Sequence, residues 1–175
     1  MGGVTKDLSN GHSWRCFVLI LVLCGTQKQD FSRMIKEVEK LADEHDIVVQ
    51  AGHTEYVSDK MEVFGFVAPE KLTTLYDKAQ YVVSHGGAGS MFQGIQAGKK
   101  MLVFPRLQKY GEHVDDHQLQ LAGKLNDLGY LLTFKDNDDI VDVFGRLKAF
   151  TPKPYDLKGN FLTLIDDKLE KSLGS

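Results

Sequence analysis

No apolar run in this sequence comes near the roughly 20 residues that a helix needs to cross a bilayer; the stretch Phe17–Cys24 stops far short of it. Cysteine is scarce as well, 2 in 175 residues, which excludes a disulfide framework and fits a reducing, cytosolic setting. An excess of positive charge is missing. Lys and Arg number 21 against 24 Asp and Glu, a net charge of −3 that gives no reason to expect a nucleic-acid partner. Prolines number only 4, and neither an internal repeat nor a low-complexity tract is found. What remains is an ordinary globular composition, 42% hydrophobic and 26% charged, with length enough for one domain and a substantial core.

Taken in order, residues 1–16 are polar, glycine-containing and aperiodic, and are expected to be a disordered extension. Phe17–Cys24 is apolar on both faces and ends at Gly25-Thr26, the pattern of a buried parallel strand rather than a signal segment. Asp30 to His45 carries Phe31, Met34, Ile35, Val38 and Leu41 as a helical stripe. Strands are expected at Ile47–Gln50, Met61–Phe66, Tyr81–His85, Met101–Phe104 and Tyr130–Phe134. Helices are expected from Pro69 to Tyr76, after the glycines at 86–89, within Glu112–Leu128 and over Ile140–Phe150, the last capped by the Asp136-Asn137-Asp138 stretch. Strands alternating with helices imply βαβ units with parallel pairing, and the domain is expected to fill residues 17–150. Residues 151–175 then form a linker and an amphipathic helix over Asn160–Ser172, packed on its own sheet or against a partner subunit.

The densest signal is Tyr81-Val-Val-Ser-His-Gly-Gly-Ala-Gly-Ser90, a β-branched strand running through a histidine into glycines and then a helical segment. Such a unit offers backbone N–H groups and a helix N-terminus to an anion, most often a phosphate. Gly86, Gly87 and Gly89 permit close backbone approach, Ser90 can cap or donate a hydroxyl, and His85 stands at a strand C-terminus, where open α/β sheets bind ligands. Two familiar glycine loops do not fit. A dinucleotide fingerprint starting at Gly87 needs glycine where Phe92 stands, and Gly98-Lys99-Lys100 lacks the Ser or Thr of a P-loop.

His85-x-Gly87-x-x-Ser90-x-x-Gln93-x-x-x-x-Gly98, followed by Pro105 and His117-Gln118, resembles the donor-sugar signature of GT-B glycosyltransferases. The chain is similar to the C-terminal half of the lipid-II GlcNAc transferase, to the cytosolic subunit of the two-part dolichol-pathway GlcNAc transferase and to bacterial capsular or exopolysaccharide relatives. Gly25-Thr26-Gln27-Lys28-Gln29-Asp30-Phe31, and Pro105-Arg106 with Tyr110-Gly111-Glu112-His113-Val114-Asp115-Asp116-His117-Gln118, resemble the bacterial group. The resemblance implies a single Rossmann-like α/β domain with a mostly parallel sheet, the donor half of a GT-B enzyme.

As an activity it implies the UDP-sugar-binding subunit of a two-component inverting glycosyltransferase in capsular or exopolysaccharide synthesis, with no cofactor and no catalytic metal. A membrane-anchored glycosyltransferase subunit would bring the lipid-linked acceptor and recruit this cytoplasmic chain to the inner membrane face. A non-catalytic enhancer subunit is the alternative. His85 is then the catalytic group that meets the diphosphate. Gly25, Thr26, Gly86, Gly87, Gly89, Ser90, Gln93, Arg106, Glu112, His113, His117 and Gln118 are the nucleotide-sugar-binding candidates. Gln93 stands where relatives place a carboxylate for the ribose, and Gln118 offers a donor and an acceptor suited to a sugar diol. Glu112, His113 and His53 are open candidates for the base. His113 and His117, with Asp115 and Asp116 between them, would make a metal site only if the segment were helical.

Overall fold

A computed structural model describes residues 18–155; the expectations for residues 1–16 and for the helix at Asn160–Ser172 lie outside them. The chain alternates β1 Leu19–Leu23, α1 Ser32–Glu39, β2 Asp46–Gln50, β3 Glu62–Phe64, α2 Pro69–Lys78, β4 Tyr81–His85, α3 Ala88–Gln96, β5 Lys100–Phe104, α4 His117–Asp127, β6 Leu132–Thr133 and α5 Ile140–Ala149. All six strands pair in parallel in the order β3-β2-β1-β4-β5-β6. This is the expected doubly wound sheet. Its order reverses between β1 and β4, which leaves a crevice at their carboxyl ends.

The central strands are apolar on both faces because both faces are covered. Ile20, Val22, Val49, Val83 and Leu102 meet Met34, Ile35 and Val38 of α1 and Ile140, Val143, Phe144 and Leu147 of α5. Alternate residues Leu21, Leu23, Val82, Met101 and Val103 face the other way, against Tyr76 of α2, Met91 and Ile95 of α3, and Ala122 and Leu125 of α4. A side chain at Gly94 would run into Met101, so that glycine lets α3 lie close on β5.

Two local expectations change. The last helix is capped by Asp139, whose Oδ1 accepts from the N–H groups of Val141 at 2.8 Å and Asp142 at 3.2 Å. Asp138 instead accepts from Lys135 N–H at 2.8 Å, and Asp136 pairs with Lys109. Ser90 does not cap α3: Gly87 holds the N-cap position and no side chain caps the helix. Elsewhere the differences are of extent, as at β6, where pairing is confined to Leu132 and Thr133.

His45 is buried against Phe144, ring centroids 5.0 Å apart, with its Nδ1 unpartnered. Burial, helped by the Lys148 charge, lowers its pKa from 6.5. The unfolded chain therefore binds more protons in the window between the lowered folded value and 6.5, and stability falls as pH falls through that window. Melting at pH 7.5 and 5.5 should show a loss of stability on acidification, and H45F should show a smaller loss.

Candidate functional site at the sheet reversal

β1 and β4 deliver Gly25 and His85 side by side at the crevice. The His85 ring lies between two glycines: a Cβ on Gly25 would stand 2.6 Å from its Nε2, and one on Gly87 would stand 2.9 Å from its Cδ2. Gly25 also has φ +78°, so neither backbone nor space admits a side chain there. Beneath it Gly52, φ +63°, abuts the Gly25 carbonyl, and Gln50 reaches the carbonyls of Gly25 at 3.4 Å and Gly65 at 3.1 Å. Sequence reasoning passed over Gln50, although a polar residue closing the strand Ile47-Val48-Val49 was the available signal.

His85 is 8% exposed, and its Nδ1 is 3.2 Å from the Leu23 carbonyl oxygen. A carbonyl only accepts, so Nδ1 carries the proton and donates. Nε2 has no hydrogen-bond partner among the described residues and is not sealed from solvent. Burial lowers the His85 pKa, the Leu23 bond opposes it, and the charges of Arg106 and His113 lower it further. The free site thus presents a neutral imidazole with its lone pair outward.

Next to it α3 begins. Its first intrahelical bond runs from Met91 N–H to the Gly87 carbonyl at 3.1 Å, which leaves the amides of Ala88, Gly89 and Ser90 without intrahelical acceptors. No acidic residue occupies the first turn. Gly89 is exposed and a Cβ there would meet nothing within 4 Å. Gln93 is exposed one turn further on. Gly86 is buried, where a Cβ would come 2.8 Å from the Cβ of Gln118.

Arg106 corrects an expectation. It is fully buried, stacked 4.3 Å from the Phe31 ring centroid. Its guanidinium donates to the carbonyls of Cys24 at 3.0 Å, Gln29 at 2.9 Å and Glu112 at 3.2 Å. Burial lowers its pKa, yet from so high a starting value that it stays charged at neutral pH. It braces the Gly25–Gln29 loop from within and has no path to a ligand. The same holds for Glu112, which is buried and takes two bonds from Arg33 at 2.8 and 2.9 Å and one from Leu107 N–H at 3.0 Å. As a candidate base Glu112 is spent, and its partner Arg33 carried no sequence signal.

Gln118 is half-buried, with Oε1 accepting from Arg106 N–H at 3.2 Å; its amide donor stays available, its acceptor partly committed. His113 and His117 flank Asp115, whose oxygens lie 3.2 Å and 3.1 Å from their Nδ1 atoms. The His117 amide, first, and the two imidazoles hold the Asp115 carboxyl below the usual range. α4 starts only at His117, so His113 is not one helical turn away from it on a shared face. Among the described residues no three His, Cys, Asp or Glu side chains gather as a metal set. Thr26 is exposed in the loop after β1.

A cleft of about 320 Å³ lined by Arg33, Pro105, Leu107, Lys109, Leu119 and Phe134 opens nearer β6. Two of its three basic groups are engaged, Arg33 with Glu112 and Lys109 with Asp136, and Asp116 and Asp136 set carboxylates beside the third, Lys135. Unspent donors, not cleft size, pick out the sheet reversal. On the opposite flank, Phe66 is 55% exposed and meets His53 edge-on at 5.1 Å; this aromatic pair also went unread in the sequence.

An open doubly wound sheet with a glycine-flanked histidine and an uncapped helix start at its reversal defines an α/β domain with an anion-accepting crevice. The chain belongs to the glycosyltransferase family 28 C-terminal domain, which matches residues 19–167. It is 26% identical over 119 residues to the Candida glabrata UDP-N-acetylglucosamine transferase subunit ALG13, covering 67% of this chain and 56% of that protein. The Saccharomyces cerevisiae protein of the same name is 30% identical over 76 residues, 43% of this chain and 36% of that one. The chain thus spans about half the length, or less, of these relatives. In fold it is similar to the NMR structure of ALG13 (TM-score 0.56, 17% identity, 90% of this chain and 94% of that one). It is also similar to the glycotransferase of kitacinnamycin (TM-score 0.59, 18% identity, 86% and 40%).

Two variant pairs test the packing. Gly87→Ala should destabilise by about 1–3 kcal/mol through the His85 ring, whereas Gly89→Ala should be neutral or stabilising by up to about 1 kcal/mol; equal melting temperatures would refute the sandwich. Arg106→Met should cost about 3 kcal/mol or more by stranding the buried carbonyls of Cys24, Gln29 and Glu112, measured by urea unfolding, while Lys109→Met should cost about 1 kcal/mol at most.

Proposed function

We propose that this chain is the donor half of a two-component inverting glycosyltransferase and binds the diphosphate of a UDP-sugar at the start of α3. One observation carries the reading: the unpartnered His85 Nε2 lies against Gly87, at the start of α3, where the amides of Ala88, Gly89 and Ser90 lack intrahelical acceptors. Each helix-terminus contribution is worth only about 0.3–1 kcal/mol when exposed; a diphosphate engages several together, most strongly as charge builds on the leaving group. Gln93 supplies a neutral acceptor for the ribose, and Gln118 its amide for the sugar. Phe66 offers the base a flat apolar face.

The acceptor side is assigned to a separate, membrane-anchored subunit that brings a lipid-linked acceptor in capsular or exopolysaccharide synthesis, with this chain on the cytoplasmic face. The relatives' name, a transferase subunit, supports the division. Of the candidate bases, Glu112 is tied up by Arg33 and Leu107 and His113 lies against Asp115, while His53 is exposed beside Phe66; the base is placed on the partner in this reading. The diphosphate charge is met by amides and an imidazole, so the assembled enzyme works without a divalent ion.

Calorimetry with UDP and ADP tests the site. UDP should bind more tightly than ADP, weakly to the chain alone and more strongly with the partner, and transfer by the chain alone should be negligible. Absence of UDP binding in the assembled complex would leave a non-catalytic interaction subunit instead.

A further inference from the structure

We propose that His85 takes up one proton from solvent each time a nucleotide-sugar diphosphate docks at α3, so that donor binding is proton-coupled. The inference rests on the diphosphate reading of the site and adds the charge state the imidazole must adopt there. Geometry leaves it little choice. Nδ1 faces the Leu23 carbonyl oxygen at 3.2 Å and must hold a proton, because a bare nitrogen there would set lone pair against lone pair. In the neutral ring Nε2 is then bare, and it is the nitrogen left without a protein partner.

A diphosphate esterified at both ends carries no proton at neutral pH and offers acceptors only. A bare Nε2 cannot hydrogen-bond to it; a protonated one can, and gains charge assistance. A flip of the ring offers no escape, since it would give up the Nδ1–H bond and set the Cδ2 edge against the Leu23 carbonyl. The proton added at Nε2 yields an imidazolium with Nδ1–H still on Leu23 and Nε2–H on a phosphate oxygen. No bond to the nucleotide is made or broken.

The surroundings decide that the proton arrives with the ligand rather than before it. Arg106, after β5, is a permanent buried cation, and His113 from the loop before α4 is the other basic group acting on the ring; burial and these two charges disfavour the imidazolium in the free site. Cys24, beyond β1, is a buried thiol pushed up to about 12, and so supplies no negative charge. The first turn of α3 holds no acidic residue. The incoming diphosphate is the missing anion. Once the sugar is transferred, the same imidazolium faces the more highly charged nucleoside diphosphate, so the proton is held through the step in which leaving-group charge develops.

Long-range 1H–15N spectra of the imidazoles at pH 7.5, on the full chain with and without saturating UDP-N-acetylglucosamine or UDP-glucose, test the proposal. The free protein should show His85 protonated at Nδ1 alone, and the bound protein should show both ring nitrogens protonated. Donor affinity should fall by up to about tenfold per pH unit as pH rises between the free-state and the bound-state pKa of His85, and His85→Gln, which keeps an N–H donor but takes up no proton, should lose that slope. Backbone shifts at Gly87–Ser90 with Nε2 still bare would overturn the proton step and leave the nucleotide site standing. No shift at Gly87–Ser90 with either nucleotide sugar, alone or with the partner, would overturn both.

Discussion

The imidazole of His85 occupies the volume that two missing Cβ atoms would fill, and the geometry of the site depends on that fit. Gly25 reaches it from β1 and Gly87 from the turn after β4, strands adjacent in the sheet but remote in sequence. The Leu23 carbonyl then fixes the ring edge-on. Because the loops after β1 and β4 leave the sheet toward α1 on one face and α3 on the other, the ring stands in the gap between them. Further out, Gly52 closes against Gly25, and the chain of close approaches passes through Gly65 to the exposed Phe66.

A second constraint comes from buried charge. Arg106 would be costly in the interior without partners, and it is retained because three carbonyls and the face of Phe31 receive it. Arg33 and Glu112 add a paired charge beside it. Together these groups hold the β1–α1 loop, one rim of the crevice, against the loop after β5. The ligand-facing groups are those left over: amides at a helix start, one imidazole nitrogen and the amide of Gln118. The amides are donors, and the imidazole nitrogen becomes one on protonation, a set that suits an anion.

The sheet was legible from the sequence because its strands are short, apolar on both faces and bounded by Gly, Pro or Asp, and the helical stripes have a clear period. Tyr81–Gly98 could be read as strand, turn and helix for the same reason. Arg106 and Glu112 could not be placed: a basic and an acidic residue in a loop read alike whether they face solvent or each other, and only tertiary packing tells them apart. Ser90 and Asp138 were misjudged as caps by one to three residues, the usual spread when several Ser, Asp and Gly residues compete at a helix start. Gly87 was read as room for a ligand; its more immediate role is room for His85.

The most direct test of the account is a crystal structure of the chain with its partner subunit and a bound UDP-sugar. The diphosphate should lie within hydrogen-bond distance of the amides of Ala88, Gly89 and Ser90 and of His85 Nε2, with the imidazole still between Gly25 and Gly87. A nucleotide seated instead in the cleft between Pro105 and Leu119, with the start of α3 empty, would contradict it.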